Sequence, residues 1–579
     1  MATSIAEHLV RQLAAAGVER VYGIVGDSLN PVVDAVRRTE GIEWVHVRHE
    51  EAAAFAAAGE AEVTGRLAVC AGSAGPGNLH LINGLYDANR SRLPVLAIAS
   101  HIQSSEIGTQ FFQETHPDRL FTEASVFSEL ITTPAQLPRV TRSAIQHAVG
   151  TPGVAVLTLP GDVADLETDD DGQHLVPATG AATLVPAEAD VAALAEAINA
   201  ARKVTLFVGA GARGARTEVL ALAEQVGAPV GHSLRGKEVI QYDNPYDVGM
   251  SGLLGYGACQ DAMEGADLLV LVGTDFPYTD FLQADVRTAQ IDVDVTHLGR
   301  RTRLDVPVHG DVGATLRMLL PLVERKRSRA FLKDMRKRHE KVMTKVVGAY
   351  TRKVEKHRPI HPEYAAVQLD EAAGPDTVFT VDTGMNNVWA ARYLTPNGRR
   401  RVIGSFIHGS MANALPHAIG AAFADPGRQV VALAGDGGLS MLMGELVTLR
   451  QYDLPVAVVV FNNASLGMVK LEMLVEGLPH HATDSPAVDY HRVAAALDIP
   501  AVRVEDPREL AGAFRDAFAR RGPVLVEVMT DPNALSIPPS ISAGQVRGFA
   551  TSMTKQVFGG GSGEVMAMAR SNLSNIPRP

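Results

Sequence analysis

Short runs of continuously apolar, mostly β-branched residues recur along this chain, at Leu67–Cys70, Val95–Ala99, Val154–Leu159, Val204–Val208, Leu268–Val272, Val430–Ala434 and Val456–Phe461. A strand with one wet face alternates apolar and polar residues, whereas a strand apolar at every position must be covered on both sides. Longer Ala- and Leu-rich segments of helical character separate these runs, and helices are what cover both faces of a parallel sheet. The pattern predicts an α/β chain built from doubly wound parallel sheets.

At 579 residues the chain has room for three or four such domains. With 46% hydrophobic and 20% charged residues it has the composition of a globular protein rather than a disordered one. Its formal net charge of −12 excludes the broadly basic surface that a nucleic-acid binder needs. The two cysteines, Cys70 and Cys259, sit in apolar or small-residue surroundings, which argues against a disulfide framework and for a reducing cytoplasm. Glu7 and Arg11 interrupt the Ile5, Leu9, Leu13 spacing, so the N-terminal stretch lacks an apolar export core. The longest apolar runs, such as Pro455 to Phe461, are too short to span a bilayer.

Two stretches look like boundaries. From Leu166 to Asp190 the chain turns acidic and then rich in Ala, Thr, Gly and Pro; from Glu324 to Lys356 it is densely charged and basic-leaning, closing on Arg358-Pro359, as a surface helix between domains would be. There is also an internal echo. A helix (Glu50–Glu62), a strand, a Gly loop (Gly72 to Gly77), a helix and Leu93-Pro94-Val95 are matched by a helix (Met411–Ala424), a strand, a Gly loop (Gly435 to Gly438), a helix and Leu454-Pro455-Val456. If this echo is real, the first and last domains share a fold.

The sharpest chemical signal is Gly435-Asp436-Gly437-Gly438 at a strand's end, with Asn463 27 residues past Asp436, at the end of the next strand. Glycines there let the backbone approach a phosphate, and neighbouring strand ends in a parallel sheet meet at the ligand crevice. A carboxylate, an amide oxygen and the Ser465 carbonyl are the hard oxygen ligands that Mg²⁺ takes, with phosphate completing the octahedron. Gly209-Ala210-Gly211-Ala212-Arg213-Gly214 after Val204–Val208 has the Gly-x-Gly-x-x-Gly form, but no acidic residue follows at the ribose-binding distance, where the chain reads Pro229 to Ser233. A nicotinamide-binding domain is therefore disfavoured.

At the Gly-Asp-Gly and Asn-Asn pair the chain resembles the thiamine-diphosphate enzyme superfamily. Across nearly its whole length it resembles the thiamine-diphosphate- and FAD-dependent pyruvate oxidases, above all their quinone-reducing bacterial branch. Shared stretches include Gly26 to Asn30, Gln113 to Pro117 and Leu234 to Lys237. The resemblance implies a pyrimidine-binding domain at 1–180, an FAD domain at 185–345, a diphosphate domain carrying the Mg²⁺ site at 355–540, and a membrane-associating tail at 541–579. It implies oxidative decarboxylation of pyruvate to acetate and CO₂, with electrons passing through FAD to a quinone. Acetolactate-type carboligation with a silent FAD and phosphate-dependent oxidation are the alternatives.

By this resemblance Glu50, opening an Ala-rich helix, hydrogen-bonds the cofactor pyrimidine, and His80 handles a proton or orients the substrate. Phe112 and Gln113 line the pyruvate pocket. Gly409, Ser410 and Met411 hold the bent cofactor, with Met411 as the wedge. Asp436, Gly437, Gly438, Asn463, Ala464, Ser465, Leu466, Gly467 and Met468 surround the diphosphate, with Asp436, Asn463 and Ser465 on the metal. Some relatives carry an aromatic at position 468, which leaves the electron route there less defined than the decarboxylation. Ser251, Gly252, Leu253 and Leu254, then Thr274, Asp275, Phe276, Pro277 and Tyr278, and Asp292 toward the adenosine end, are the implied FAD contacts.

In the tail, Val546, Phe549, Met553 and Val557 share a helical face, a second segment holds Val565, Met566 and Met568, and Arg547, Lys555, Arg570 and Arg578 outnumber Glu564. The family uses such a tail to dock reversibly on the inner face of the cell membrane. A site shared between subunits implies at least a homodimer, and the family favours a homotetramer.

Overall fold

Each apolar run becomes a strand with buried flanks, and the strands assemble into three largely parallel sheets in the computed structural model, which describes residues 3–168, 182–535, 552 and 562–572. The first sheet comprises β1 (Arg20–Gly23), β2 (Glu43–His46), β3 (Ala68–Gly72), β4 (Val95–His101), β5 (Phe127–Leu130) and β6 (Val154–Pro160), in the order β2-β1-β3-β4-β6-β5. Helices α1 (Glu50–Thr64) and α2 (Pro76–Arg90) flank β3. The middle sheet comprises β7 (Val204–Val208), β8 (Val230–His232), β9 (Asp247–Met250), β10 (Tyr256–Gly257), β11 (Leu268–Val272), β12 (Thr288–Asp292) and β13 (Val306–His309), in the order β10-β9-β8-β7-β11-β12-β13, with only β10 antiparallel. Helix α3 (Ala330–Val342) then leads toward the third sheet.

That sheet comprises β14 (Val378–Val381), β15 (Arg401–Ile403), β16 (Val430–Gly435), β17 (Val456–Asn462), β18 (Ala501–Val504) and β19 (Val524–Met529), in the order β15-β14-β16-β17-β19-β18. Its helices include α4 (Met385–Tyr393), α5 (Ala414–Ala424), α6 (Asp436–Met441), α7 (Glu445–Gln451) and α8 (Gly467–Val475). Strand for strand, the order is that of the first sheet, so the sequence echo is a repeated topology.

The two repeats touch through α1 and α5. A Cβ on Gly59 would strike the His417 backbone, and one on Gly420 would strike the Ala56 carbonyl. Each glycine thus meets the residue three positions before the other. This reciprocity lets two Ala-rich helices cross at backbone contact. Around the crossing, the first and third domains share one core containing Ala53, Ala57, Ala418, Ile419 and Ala422.

Two predicted boundaries move. The helix expected from Met411 starts at Ala414, because Ala412 takes a left-handed φ of 64° that no helix tolerates. The expected glycine loop after the third sheet's central strand is absent, since β16 runs through Gly435 and α6 starts at Asp436.

The charged 324–356 stretch contains α3, as expected of a helix between domains. Residues 169–181 of the earlier boundary lie outside the described residues, as do Val546, Phe549, Met553, Val557, Arg547, Lys555 and Arg578. Of the tail, helix α9 (Ser562–Asn572) packs Met568 against Leu471, Leu474 and Leu535. Its end is fastened by Asn572, which accepts from the Leu535 N–H at 3.0 Å and donates to the Asn533 carbonyl at 2.6 Å. Among the described residues no helix is long and apolar enough to cross a membrane.

Candidate active site

In an open parallel sheet, the crevice forms where the strand order reverses, beyond the strands' carboxyl ends. In the third sheet that point lies between β14 and β16, and Asp436 is the first residue beyond β16. It is 4% exposed, and the backbone N–H groups of Asn463 and Gly437 face its carboxylate. Burial pushes that carboxyl up to about 6, despite these donors. A desolvated carboxylate of this kind gains from a cation. Asn463 follows β17 immediately, and its Oδ1 accepts the Ser465 N–H at 3.0 Å while keeping a second lone pair. The predicted metal trio is therefore gathered at one end of adjacent strands. Ala464, next to it, adopts a left-handed φ of 49°.

The loop after β14 completes this end, and sequence reasoning missed it. Asp382 is buried, and burial pushes its carboxyl up to about 7. Its Oδ1 accepts the Ala414 N–H at 2.9 Å, and the N–H groups of Gly435 and Asn413 also face the carboxylate. Its Oδ2 lies where a Cβ on Gly438 would stand. One side chain thus braces both the 409–413 turn and the Gly-Asp-Gly segment. Around it, Asp382 Oδ2, Thr383 Oγ1, Asn387 Oδ1 and Ser465 Oγ are buried without hydrogen-bond partners. Buried polar atoms are rarely left so, and four at one crevice fit a polar, phosphate-bearing ligand with its metal. The signal available in the sequence was Asp382-Thr383-Gly384 directly after an apolar run.

Met411 reaches over this crevice, its Cε 3.4 Å from the Cβ position of Gly437, beside Leu466. Gly409 turns the chain with a φ of 79°. The Ser410 hydroxyl accepts from Asn83 Nδ2 at 2.8 Å, and Asn83 also donates to Glu51 at 2.6 Å. Gly467 opens α8, and Met468 packs half-buried against the third domain's core.

Glu50 is the first residue of α1. Its neighbour His49 caps the helix by accepting the Glu51 N–H at 3.2 Å. Both the His49 and Arg48 N–H groups donate to Glu445 of α7, so the third domain holds the entrance to this helix. Glu445 and Asn83 were not singled out in the sequence, because their partners lie hundreds of residues away.

His80 on α2 comes to 2.9 Å from Glu50 Oε2 and stacks on His49 at 4.4 Å. His49, Glu50 and His80 bring ligand atoms within 4.8 Å of one another. Phe112 is 76% exposed, which rules out a core aromatic. Gln113 has a φ of 64° and packs on Gly75 at the start of α2. Among the described residues, no hydrogen bond or ion pair joins Glu50 to Asp436.

The three middle-domain segments converge, because β9, β11 and β12 are parallel and end on the same edge. Ser251, Gly252, Leu253 and Leu254 follow β9. Thr274 to Tyr278 follow β11. Asp292 ends β12. The Tyr278 ring lies 3.0 Å from the Cβ position of Gly252, which joins the first two segments. The glycines of Gly209–Gly214 have a packing reason, since Gly209 and Gly211 press on Gly273 and Thr274 where this sheet's order reverses. Leu253 is exposed, whereas the Phe276 ring is buried edge-on against Phe207 at 4.8 Å and lies 3.3 Å from the Cβ position of Gly252. The Asp275 carboxylate is held by Arg300 at 3.0 Å and Arg301 at 3.3 Å, and Asp292 accepts the Asp294 N–H at 2.9 Å.

Three family descriptions match this chain. The thiamine pyrophosphate enzyme N-terminal TPP binding domain covers residues 3–120, the central domain 191–319, and the C-terminal TPP binding domain 382–528. The putative thiamine pyrophosphate-containing protein YdaP of Bacillus subtilis (strain 168) is 35% identical, over 96% of this chain and 96% of its own. The pyruvate oxidase of Lactiplantibacillus plantarum is 31% identical, over 90% of this chain and 87% of its own. The acetolactate synthase of Mycobacterium bovis is 30% identical, over 93% and 90%.

Proposed function

The chain belongs to the thiamine pyrophosphate enzymes, and from that premise we propose that it oxidises pyruvate and water to acetate and CO₂, delivering two electrons through FAD to a membrane quinone. The observation that carries this reading is the crevice of the third sheet. There a buried carboxylate, an amide oxygen and four unpartnered polar atoms meet where a metal-bound diphosphate would sit. Thiamine diphosphate, when bound, supplies a carbon nucleophile and an electron sink for loss of CO₂, and FAD supplies a two-electron acceptor.

The chain's own residues set the stage. Asp436, Asn463 and the Ser465 carbonyl would hold Mg²⁺, and Met411 would pack against the bound cofactor. Glu50 would hydrogen-bond the cofactor pyrimidine, and His80, at 2.9 Å from its Oε2, would orient the substrate or handle a proton. Phe112 and Gln113 would line the pyruvate pocket. In the middle domain the converging segments 251–254, 274–278 and Asp292 take the flavin. The family resemblance implies a site shared between subunits, hence at least a homodimer and by family preference a homotetramer. The exposed Met566 and Arg570 of α9 support a tail that can meet lipid. The protein would then be cytoplasmic and peripheral to the inner face of the cell membrane.

Stopped-flow spectroscopy tests the redox half. Pyruvate added to the Mg²⁺-, thiamine diphosphate- and FAD-loaded protein should bleach the flavin, and a quinone analogue should restore it. A flavin that stays oxidised while acetolactate accumulates would instead establish the carboligase reading, which the acetolactate synthase likeness supports. Phosphate-dependent acetyl phosphate would establish the third.

A further inference from the structure

Residues 324–358 hold fourteen Lys and Arg against four acidic residues, in a chain whose formal net charge is −12. This concentration of positive charge takes no part in the site described above. Some of it is spent within the fold, since Arg325 and Arg329 pair with Glu224, Arg338 with Asp261 and Asp334, and Arg358 with Asp506. The remainder is arranged differently. Lys333, Lys337 and Lys341 recur at four-residue spacing along one side of α3, and Lys345 follows in the wider turn Met343–Val347. Arg352, Lys353 and Lys356 continue the run. All seven are exposed, and among the described residues none of their side chains makes an ion pair or hydrogen bond. Like charges at that spacing weaken a helix, so folding alone does not account for the row.

We propose that this row of cations is a docking surface for an anionic phospholipid bilayer. The segment that bears it ends beside the tail, where the Tyr350 hydroxyl meets the Arg570 carbonyl and the His361 ring meets the Ser571 carbonyl at 3.2 Å. One helical turn before Arg570 is Met566, an exposed methionine. Basic side chains next to an exposed apolar one suit the headgroup boundary of a bilayer, whereas a nucleic acid offers phosphates without an apolar layer. A short amphipathic helix or single acyl chain holds a bilayer only marginally, and a polybasic patch is the usual second contact. The proposal rests on the bilayer partner of the functional reading but on different residues, and it adds a second electrostatic attachment to that of the tail.

The test is cosedimentation of the full-length protein with phosphatidylglycerol-containing vesicles and with pure phosphatidylcholine vesicles, at low and raised salt. The comparison is with the variant Lys333→Gln/Lys337→Gln/Lys341→Gln/Lys345→Gln, whose melting temperature and pyruvate turnover should match the wild type. Wild type should prefer anionic vesicles and lose that preference as salt rises. The variant should bind them roughly 30-fold or more weakly, since each basic side chain near an anionic surface contributes several-fold. Equal binding of wild type to both vesicle types, no binding at all, or unchanged binding by the variant overturns the proposal. So does displacement of the vesicles by duplex DNA at lower concentration, which would make the strip a nucleic-acid surface. Binding that the variant retains reports the tail instead, and flavin bleaching tests the reaction, so the three ideas fail separately.

Discussion

At Asp436 burial and cation binding compete for one proton. Burial raises its carboxyl to about 6, so below that pH the side chain is neutral and a metal must displace a proton to bind. The sign follows directly: Mg²⁺-dependent binding of thiamine diphosphate should be flat above pH ~7 and weaken about tenfold per unit below ~6. Tryptophan fluorescence titrations across that range check it, and an affinity constant from pH 5 to 7 would contradict it. Asp382 acts one step further back, as a positioning residue between two turns. Asp382→Asn keeps the shape but turns an amide N–H₂ toward backbone donors that need acceptors, and an unsatisfied buried donor costs about 1–3 kcal/mol. The expected outcome is a melting temperature of the cofactor-free protein lowered by a few degrees, together with at least tenfold weaker Mg²⁺ and thiamine diphosphate binding by calorimetry. Asp436 and Asn463 stood out in the sequence because each is at the mouth of its own strand, whereas Glu50 was singled out by the family resemblance. Asp382 was not, because its partners at 413, 414 and 435 come together only once the sheet is folded.

Among the elements, the crossing of α1 and α5 is the least forgiving contact. Gly420→Ala places a methyl against the Ala56 carbonyl, with backbone on both sides and no flexible side chain to yield. Overpacking of this kind costs about 3 kcal/mol. Urea denaturation should register that loss, while Gly150→Ala, where nothing lies within 4 Å, should be neutral or slightly stabilising. A Gly420→Ala protein as stable as wild type would mean that the helices can part freely. The helices themselves were legible from their Ala runs, but the start of α5 was not. Nothing in Met411-Ala412-Asn413 signals that Ala412 will turn left-handed, since that geometry is imposed by the donors gathered around Asp382.

For the whole molecule, one ionic node ties all three domains together. Arg401 of the third domain reaches Glu62 of the first and Glu238 of the middle, and Arg213 and Arg235 approach the same acids. Arg401→Ala would leave two mostly buried carboxylates short of their principal cation, at a cost of about 2–3 kcal/mol, below the range for fully buried pairs. Scanning calorimetry should then show the middle domain melting apart from the others, and a single unchanged transition would count against the node. The class of the sheets was readable from the apolar runs and their division into three domains came with the family resemblance, but this node was not readable, because charged residues scattered over 340 positions carry no periodicity. The reciprocal glycine contact has one more consequence. Two rods touching backbone to backbone can swivel about the point of contact but cannot close further, so any relative movement of the outer domains is a rotation there. Glu50 stands nine residues from Gly59, a lever of about 14 Å at the helical rise. A swing of only ~5° would carry its carboxylate roughly 1 Å, a shift that the Arg48 and His49 N–H bonds to Glu445 hold in check.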